Sequence, residues 1–336
     1  MTRSPIGRRI VMRLTLPARL LPCLWICAAF AGELPKVLVV ESYHAAYLWD
    51  AGYTGALQHG LAGRAKLSFF EMDTKRLPKE SHAAMGDKAW ALIQASKPDA
   101  VVLGDDAALK FLGPRLAGSR LPVVYLGING SPTTYLDKPA PNITGVLERP
   151  SIRQTLLLAK QMQPELKRIL VLLDTDLTSK QMYDYTFQSR PRQMVAGIDV
   201  SVQLVDTLAA WQKAVQSFSG PDHALLMLTY FSLKEGERPV SGQEVLEWTT
   251  GKAGIPTYCN NDYAIGRGLA MAGYVNAAAE QGAQAVPLIL AKLADPMRVM
   301  PPVTPSTYRL LISRSAIARW GIAVPRELQE KAEWVD

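Results

Sequence analysis

The chain has 336 residues, 48% of them hydrophobic and 20% charged, a composition typical of a globular protein long enough for two domains. Its formal net charge is +7, but five arginines lie in residues 1–31, where no acidic residue occurs. Removing those five from the 37 basic residues leaves 32, against 30 acidic residues. This near balance argues against the clustered basic surface of a nucleic-acid-binding protein.

The first 31 residues have the pattern of a secretory signal peptide. The arginines precede the apolar run Leu20–Ala31, which ends in the small-x-small site Ala29-Phe30-Ala31. The run has 12 residues, fewer than the ~20 that span a bilayer. We therefore predict cleavage after Ala31 and a periplasmic location, with a short membrane anchor or a buried N-terminal helix as alternatives. Cleavage would leave Cys259 as the one cysteine, so no internal disulfide is expected.

Short apolar runs alternate with amphipathic stretches from residue 36 onward, which predicts parallel strands connected by helices. The predicted strands are Val37–Val40, Leu67–Phe70, Ala100–Leu103, Val123–Leu126, Ile169–Leu173, Val200–Val205, Ala224–Leu228 and Pro256–Cys259. Helices are predicted over Lys79–Ser96, Arg153–Gln163 and Gln243–Ala253, each ended by proline or glycine. The fold class is therefore α/β, with two doubly wound parallel-sheet lobes.

A proline-rich stretch from Ser131 to Pro141 marks the best boundary between the lobes. We predict a signal peptide over 1–31 and an N-terminal lobe over 32–145 plus part of 260–300. The C-terminal lobe would comprise 146–259 plus part of 300–336. The apolar segments after residue 259 are too short for a third domain, so the chain must cross between the lobes more than once.

Polar and aromatic residues follow the predicted strands, where ligands of open α/β sheets bind. The mixture of aromatic faces, amides and carboxylates suits a small polar ligand. Capping of the next helix, or core packing of the aromatic residues, is the alternative for each of them. The ligand-binding candidates are Tyr43, His44, Trp49, Asp105, Asn129, Tyr230, Asp262 and Tyr263.

Signals for catalysis are weak. None of His44, His59, His82 and His223 has the spacing of a zinc site, and no nucleophile elbow or phosphate-binding loop occurs. The Asp105-Asp106 pair is more typical of a helix start than of a metal or acid–base site. We expect no catalytic residues, no metal and no cofactor.

Five stretches, taken together, resemble the bacterial ABC-transporter substrate-binding family, and most closely its branch often fused to sensor kinases. They are KVLVVESYHAAYLWDAGYTGAL at 36–57, LPVVYLGINGSPTTYL at 121–136, PNITGVLERPSIRQTLLLAKQMQPELKRILVLLD at 141–174, IPTYCNNDYAIGRGLAMAGYV at 255–275 and STYRLLISRSAIARWGIAVP at 306–325. Their order and spacing cover nearly the whole chain after the predicted signal peptide.

This resemblance implies a type I periplasmic-binding-protein fold, with two lobes, three crossing segments and a cleft between the lobes. By position it implies that Tyr43, His44, Asn129 and Asp262 line the cleft. The chain has no further signalling domain, so we expect a monomer that passes its ligand or its closed shape to a membrane partner. That partner would be an ABC permease or, as the alternative, a membrane kinase or cyclase.

Overall fold

The computed structural model describes residues 1–2, 33–305 and 308–336, so the predicted signal peptide, apart from residues 1–2, lies outside the described residues. Leu34–Asp336 form one compact unit. Among the described residues, no helix is both long enough and apolar enough to cross a membrane.

The first lobe is built on a parallel sheet to which the described residues contribute five strands. Its elements are β1 Lys36–Glu41, α1 Leu48–Leu61, β2 Lys66–Glu71, α2 His82–Ser96, β3 Ala100–Gly104, α3 Asp105–Leu116, β4 Val123–Ile128 and β5 Ile143–Leu147. The strand order is β2-β1-β3-β4-β5. Because the order reverses between β1 and β3, the loops after these two strands border the crevice where doubly wound sheets bind ligands.

The second lobe holds a larger, mixed sheet. Its first elements are α4 Ile152–Met162, β6 Arg168–Leu173, α5 Leu177–Phe187, β7 Arg192–Val195, β8 Ile198–Leu204, α6 Leu208–Ser217 and β9 His223–Met227. They are followed by β10 Lys234–Glu235, β11 Arg238–Pro239, α7 Gly242–Lys252, β12 Thr257–Cys259 and β13 Ala272–Val275. After helix α8 (Ala278–Ala294), the lobe is completed by β14 Arg309–Ser313, α9 Arg314–Trp320, α10 Arg326–Gln329 and β15 Ala332–Val335. The order is β15-β14-β13-β12-β9-β6-β8-β7, with antiparallel pairing at β13–β14 and β7–β8. The short β10–β11 hairpin stands apart from this sheet.

Hydrophobic side chains fill both faces of the central strands, which explains their uninterrupted apolar sequences. All five residues of β3 are buried, and so are the last five of β6. Apolar clusters on the two faces of each sheet contain the buried aromatic residues Tyr53, Trp211 and Tyr258. The core thus lies between sheet and helices within each lobe, and the cleft between the lobes is free to carry polar groups.

The chain passes between the lobes at three places in its described part. It leaves the first lobe after β5, returns after β13 to form α8 Ala278–Ala294, and leaves again after Val303 to form β14. Helix α8 packs on α1 and on β4 of the first sheet. Close packing of the two helices requires Gly282, because a Cβ there would lie 2.4 Å from the carbonyl oxygen of Tyr53.

The two-lobed α/β fold predicted from the sequence is confirmed. The prolines before residue 142 do not separate the lobes, however. Tyr135 and Leu136 pack into the core of the first lobe, and β5 then pairs with β4 of the same sheet. The first crossing therefore begins at Glu148, beyond the apolar run that completes the sheet.

Candidate ligand-binding cleft

Loops that follow the strands of both sheets meet in a cleft between the lobes. The first lobe contributes Tyr43 after β1, Lys75 after β2 and Asp105 after β3, while the second contributes loops after β6, β9 and β12. The innermost part of this cleft, here called the inner cleft, is lined by Tyr43, Tyr47, Trp49, Lys75, Asp105, Glu148, Thr178, Met182, Leu228, Thr229, Asn260 and Asn261. Its volume is about 20 Å³, enough for about one water molecule.

The inner cleft is narrow because polar side chains join the lobes directly. The hydroxyl oxygens of Tyr43 and Thr178 lie 2.7 Å apart, and the Thr178 hydroxyl also lies 3.5 Å from a carboxyl oxygen of Asp106. Lys75 donates from Nζ to Oδ2 of Asp176 at 3.0 Å. These contacts hold the lobes in a closed arrangement.

Lys75 is the charged centre of the inner cleft. Its side chain is 3% exposed, and its ammonium lies 4.4 Å from the centre of the Tyr43 ring. Burial alone would lower the pKa of Lys75, but the carboxylates of Asp176 and Asp174 outweigh burial and raise it. Burial raises the pKa of Asp174, but the ammonium of Lys75 and the hydrogen bonds that Asp174 accepts together outweigh burial and hold that pKa below its usual value. A permanent cation therefore joins the first lobe to an anionic helix start in the second.

Asp105 lies at the start of α3, opposite Lys75. The indole Nε1 of Trp49 donates to its Oδ2 at 3.2 Å. Burial, with further contributions from Asp50 and Glu148, raises the pKa of Asp105 well above its ordinary value. The backbone of Asp105 has φ +66°, a left-handed conformation that aspartate tolerates better than most residues. A strained backbone conformation thus places this carboxyl in the lining of the cleft.

Glu148 occupies the first crossing and connects it to its surroundings on both sides. Its carboxyl accepts from Nδ2 of Asn129 at 2.8 Å in the first lobe and from Nδ2 of Asn276 at 3.5 Å in the second crossing. Burial raises the pKa of Glu148 to about 7. Nearby, the Tyr308 hydroxyl donates to the carbonyl of Arg149 at 3.0 Å, which connects the third crossing to the first. Hydrogen bonds therefore connect the first crossing to each of the other two.

A second compartment of about 370 Å³ opens beside the inner cleft and also touches both lobes. Tyr47 and Lys75 line both compartments. We call this compartment the outer pocket; its lining is His44, Ala46, Tyr47, Leu48, Lys75, Arg76, Tyr230, Phe231, Pro239, Val240, Ser241, Gly242, Gln243, Leu246 and Tyr263. Its volume lies at the lower end of the range of small-molecule sites.

The chemistry of the cleft suits reversible binding. Aromatic rings, hydroxyls, amides and buried charges provide contact area and directional hydrogen bonds. Within the described ranges, no cluster of three or more His, Cys, Asp or Glu side chains is placed to hold a metal ion.

Comparison with known protein families identifies the chain. The sequence model of the family described as ABC transporter substrate binding protein matches residues 82–335, more than half of the chain. The chain belongs to this family. The match confirms the resemblance seen in the sequence motifs. No curated protein sequence matches the chain significantly.

Several solved structures share the two-lobed fold of this chain. The ABC domain in complex with L-Trp from Streptococcus pneumonia is 20% identical, with a TM-score of 0.68 over 90% of this chain and 100% of that chain. A conserved domain protein from Vibrio cholerae is 15% identical, with a TM-score of 0.69 over 90% and 100% of the two chains. A carbohydrate transporter solute binding protein from Agrobacterium radiobacter, in complex with D-arabinose, is 9% identical, with a TM-score of 0.57 over 89% and 99%.

The residues predicted from the sequence fall into three groups in this member of the family. Tyr43, Trp49 and Asp105 line the inner cleft. His44, Tyr230 and Tyr263 line the outer pocket.

Asn129 and Asp262 line neither compartment. Asn129 is buried behind the cleft, where it holds Glu148, and Asp262 lies 3.7 Å from Arg309 at the surface. The predicted ligand-binding residues are therefore divided between two compartments, with Asn129 and Asp262 outside both.

Sequence analysis missed two charged residues of the inner cleft, Lys75 and Glu148. Lys75 lies in the loop after β2, so the rule that ligands bind beyond the ends of parallel strands also points to it. Glu148 gave no such signal, because its role depends on two asparagines far away in the sequence.

Proposed function

We propose that this protein captures a small solute between its lobes and presents it to an ABC permease. The observation that carries the proposal is the cleft itself, in which strand-end loops of two lobes bring Tyr43 into contact with Thr178 and Lys75 into contact with Asp176. Such contacts can be exchanged for contacts with a solute when the lobes open and close around three thin crossings. The predicted signal peptide supports a periplasmic location for this activity.

Ligands of structural relatives define the compounds worth testing first. The Streptococcus protein was solved with L-Trp and the Agrobacterium protein with D-arabinose. A library of amino acids, pentoses, hexoses, purines and small carboxylates covers both chemistries. We propose a binding role without catalysis, in keeping with the family.

A thermal-shift screen of this library, followed by calorimetry, tests the proposal. A solute present at 100 times its dissociation constant stabilises the native protein by about 2.7 kcal/mol, so the melting temperature of the protein should rise clearly. Tyr47→Ala should lower the affinity for any such solute about tenfold, because the Tyr47 ring lines both compartments.

Phe69→Ala is the matched control, since Phe69 is an exposed ring on β2 outside the lining of both compartments. It should leave the affinity unchanged. A library without a single stabilising compound at millimolar concentration would contradict the proposed function.

A further inference from the structure

The outer pocket stays open while the inner cleft is closed, which sets the two compartments apart. Its volume is about 370 Å³ against about 20 Å³ for the inner cleft. Its walls come from the β1 and β2 loops of the first lobe and from the segments around Tyr230, Ser241 and Tyr263 of the second. A molecule seated there would touch both lobes and stabilise their closed arrangement by mass action.

Aromatic rings form one side of the outer pocket. Tyr230 and Phe231 are stacked with ring centres 4.3 Å apart, and the Tyr47 ring lies 4.7 Å from Phe231. Tyr263 completes the group, with its ring centre 6.0 Å from that of Phe231. Such a wall favours a flat, aromatic ligand, because ring pairs add attraction beyond the apolar area that they bury.

The charged side chains that line the outer pocket are the cations Lys75 and Arg76. Helix α7 begins at Gly242 in its wall, so the positive end of the helix dipole faces the same space, and Glu244 of its first turn is outside the lining. None of the described residues that line it is a carboxylate. The carboxylates paired with these cations, Asp176 and Asp73, are outside the lining.

We infer that the outer pocket binds a small aromatic carboxylate without an amino group, and that this is the solute of the protein. The inference rests on the proposed function and names its substrate class. The ring would lie against Tyr47 and Phe231, and the carboxylate would face Arg76 and the first turn of α7. An ammonium group would find cations and no lining carboxylate, so the pocket should discriminate against amino acids and amines.

A charge series on one ring tests the inference. Calorimetry on the protein without residues 1–31 would compare the binding of 4-hydroxyphenylacetate, L-tyrosine and tyramine. The three compounds share a phenol ring and carry net charges of about −1, 0 and +1 at neutral pH. We expect the acid to bind at least about tenfold more tightly than tyramine, with L-tyrosine in between. Equal or tighter binding of L-tyrosine or tyramine would overturn the inference.

Substitution of one surface arginine locates the binding site. Arg76→Gln removes a charge of the pocket wall, and about a fivefold or larger loss of affinity for 4-hydroxyphenylacetate is expected. Arg115→Gln is the matched control, because Arg115 is also a partly exposed arginine of the first lobe paired with an aspartate. An equal loss in both variants, or no loss in Arg76→Gln, would refute this placement.

The series also separates failure of the inference from failure of the proposed function. If none of the three compounds binds but another library compound does, the substrate class is wrong and solute binding stands. If nothing in the library binds, the proposed function itself fails.

Discussion

Glu148 is a fully buried residue of the first crossing whose protonation should affect stability near neutral pH. Its buried carboxyl has a pKa of about 7, against an ordinary value of 4.5, so the native state binds this proton more tightly than the unfolded chain does. The resulting stability is complete below about pH 4.5 and is lost as the pH rises through 7. At about 1.4 kcal/mol per pKa unit, the loss amounts to about 3 kcal/mol by pH 8.

Glu148→Gln cannot titrate, and we expect it to flatten this part of the pH dependence. Urea unfolding of the variant and of the parent protein between pH 4.5 and 8 measures the difference between the two curves. Glu330→Gln, at an exposed glutamate on the second lobe, should leave the pH dependence as in the parent protein. Parallel curves for Glu148→Gln and the parent would show that the carboxyl is not protonated in the native state.

At the same scale, the aromatic residues after β1 show what a sequence can and cannot decide. From the sequence, Tyr43 and Trp49 are compatible both with core packing and with ligand contact. In the structure both roles hold at once, since they are 3% and 5% exposed, belong to the apolar cluster behind the sheet and still line the inner cleft. The local sequence pattern predicts that such a ring follows a strand. Which residues the ring contacts depends on the closure of two lobes.

Among the elements, the contact between α1 and α8 depends on a residue without a side chain. Gly282→Ala would place a Cβ 2.4 Å from the Tyr53 carbonyl and 2.9 Å from the Ala56 Cβ, so one helix must move. Overpacking of this kind costs about 1–3 kcal/mol. Thermal or urea unfolding should show this loss.

Gly55→Ala, in α1 itself, is the matched control. A Cβ there meets nothing within 4 Å, so alanine should stabilise the helix by about 0.5–1 kcal/mol. Opposite signs for the two glycines are the expected result. A stabilising Gly282→Ala would mean that the two helices pack less closely than described.

The strands were easier to predict than the connections between them. Each strand predicted from an apolar run has a counterpart in the two sheets, because burial on both faces leaves that simple pattern. The edge strands β5, β7 and β15 are not among the predicted strands. Strands β7 and β15 are only partly buried and carry no such pattern, whereas β5 is buried and follows the proline-rich stretch. The proline-rich stretch before β5 suggested a boundary, but Tyr135 and Leu136 bind it to the first lobe through contacts that no local pattern reveals.

For the whole molecule, the ion pair between Lys75 and Asp176 should control the balance between open and closed lobes. Removing one partner of a buried pair leaves an unpaired charge, at a cost of about 3–5 kcal/mol. Here the cost can be relieved without unfolding, because separation of the lobes hydrates Asp174 and Asp176. We therefore expect Lys75→Met to increase the radius of gyration of the ligand-free protein in small-angle X-ray scattering.

Lys79→Met provides the control. Lys79 also donates across the lobes, to Thr175, but it is exposed, and exposed polar contacts contribute little. Its radius of gyration should match that of the parent protein. A large fall in melting temperature for Lys75→Met with an unchanged radius would instead show that the two lobes form one rigid body.

The placement of α8 has a consequence for how the molecule is made. The strands of the first lobe are complete at Leu147, but the helix that covers α1 is synthesised only after most of the second lobe, at Ala278–Ala294. A nascent chain therefore carries an uncovered apolar helix face while more than half of its strands emerge. The first lobe is thus started before the second but completed only after most of it. A chain truncated before residue 278 would be left with a first lobe that cannot fold completely.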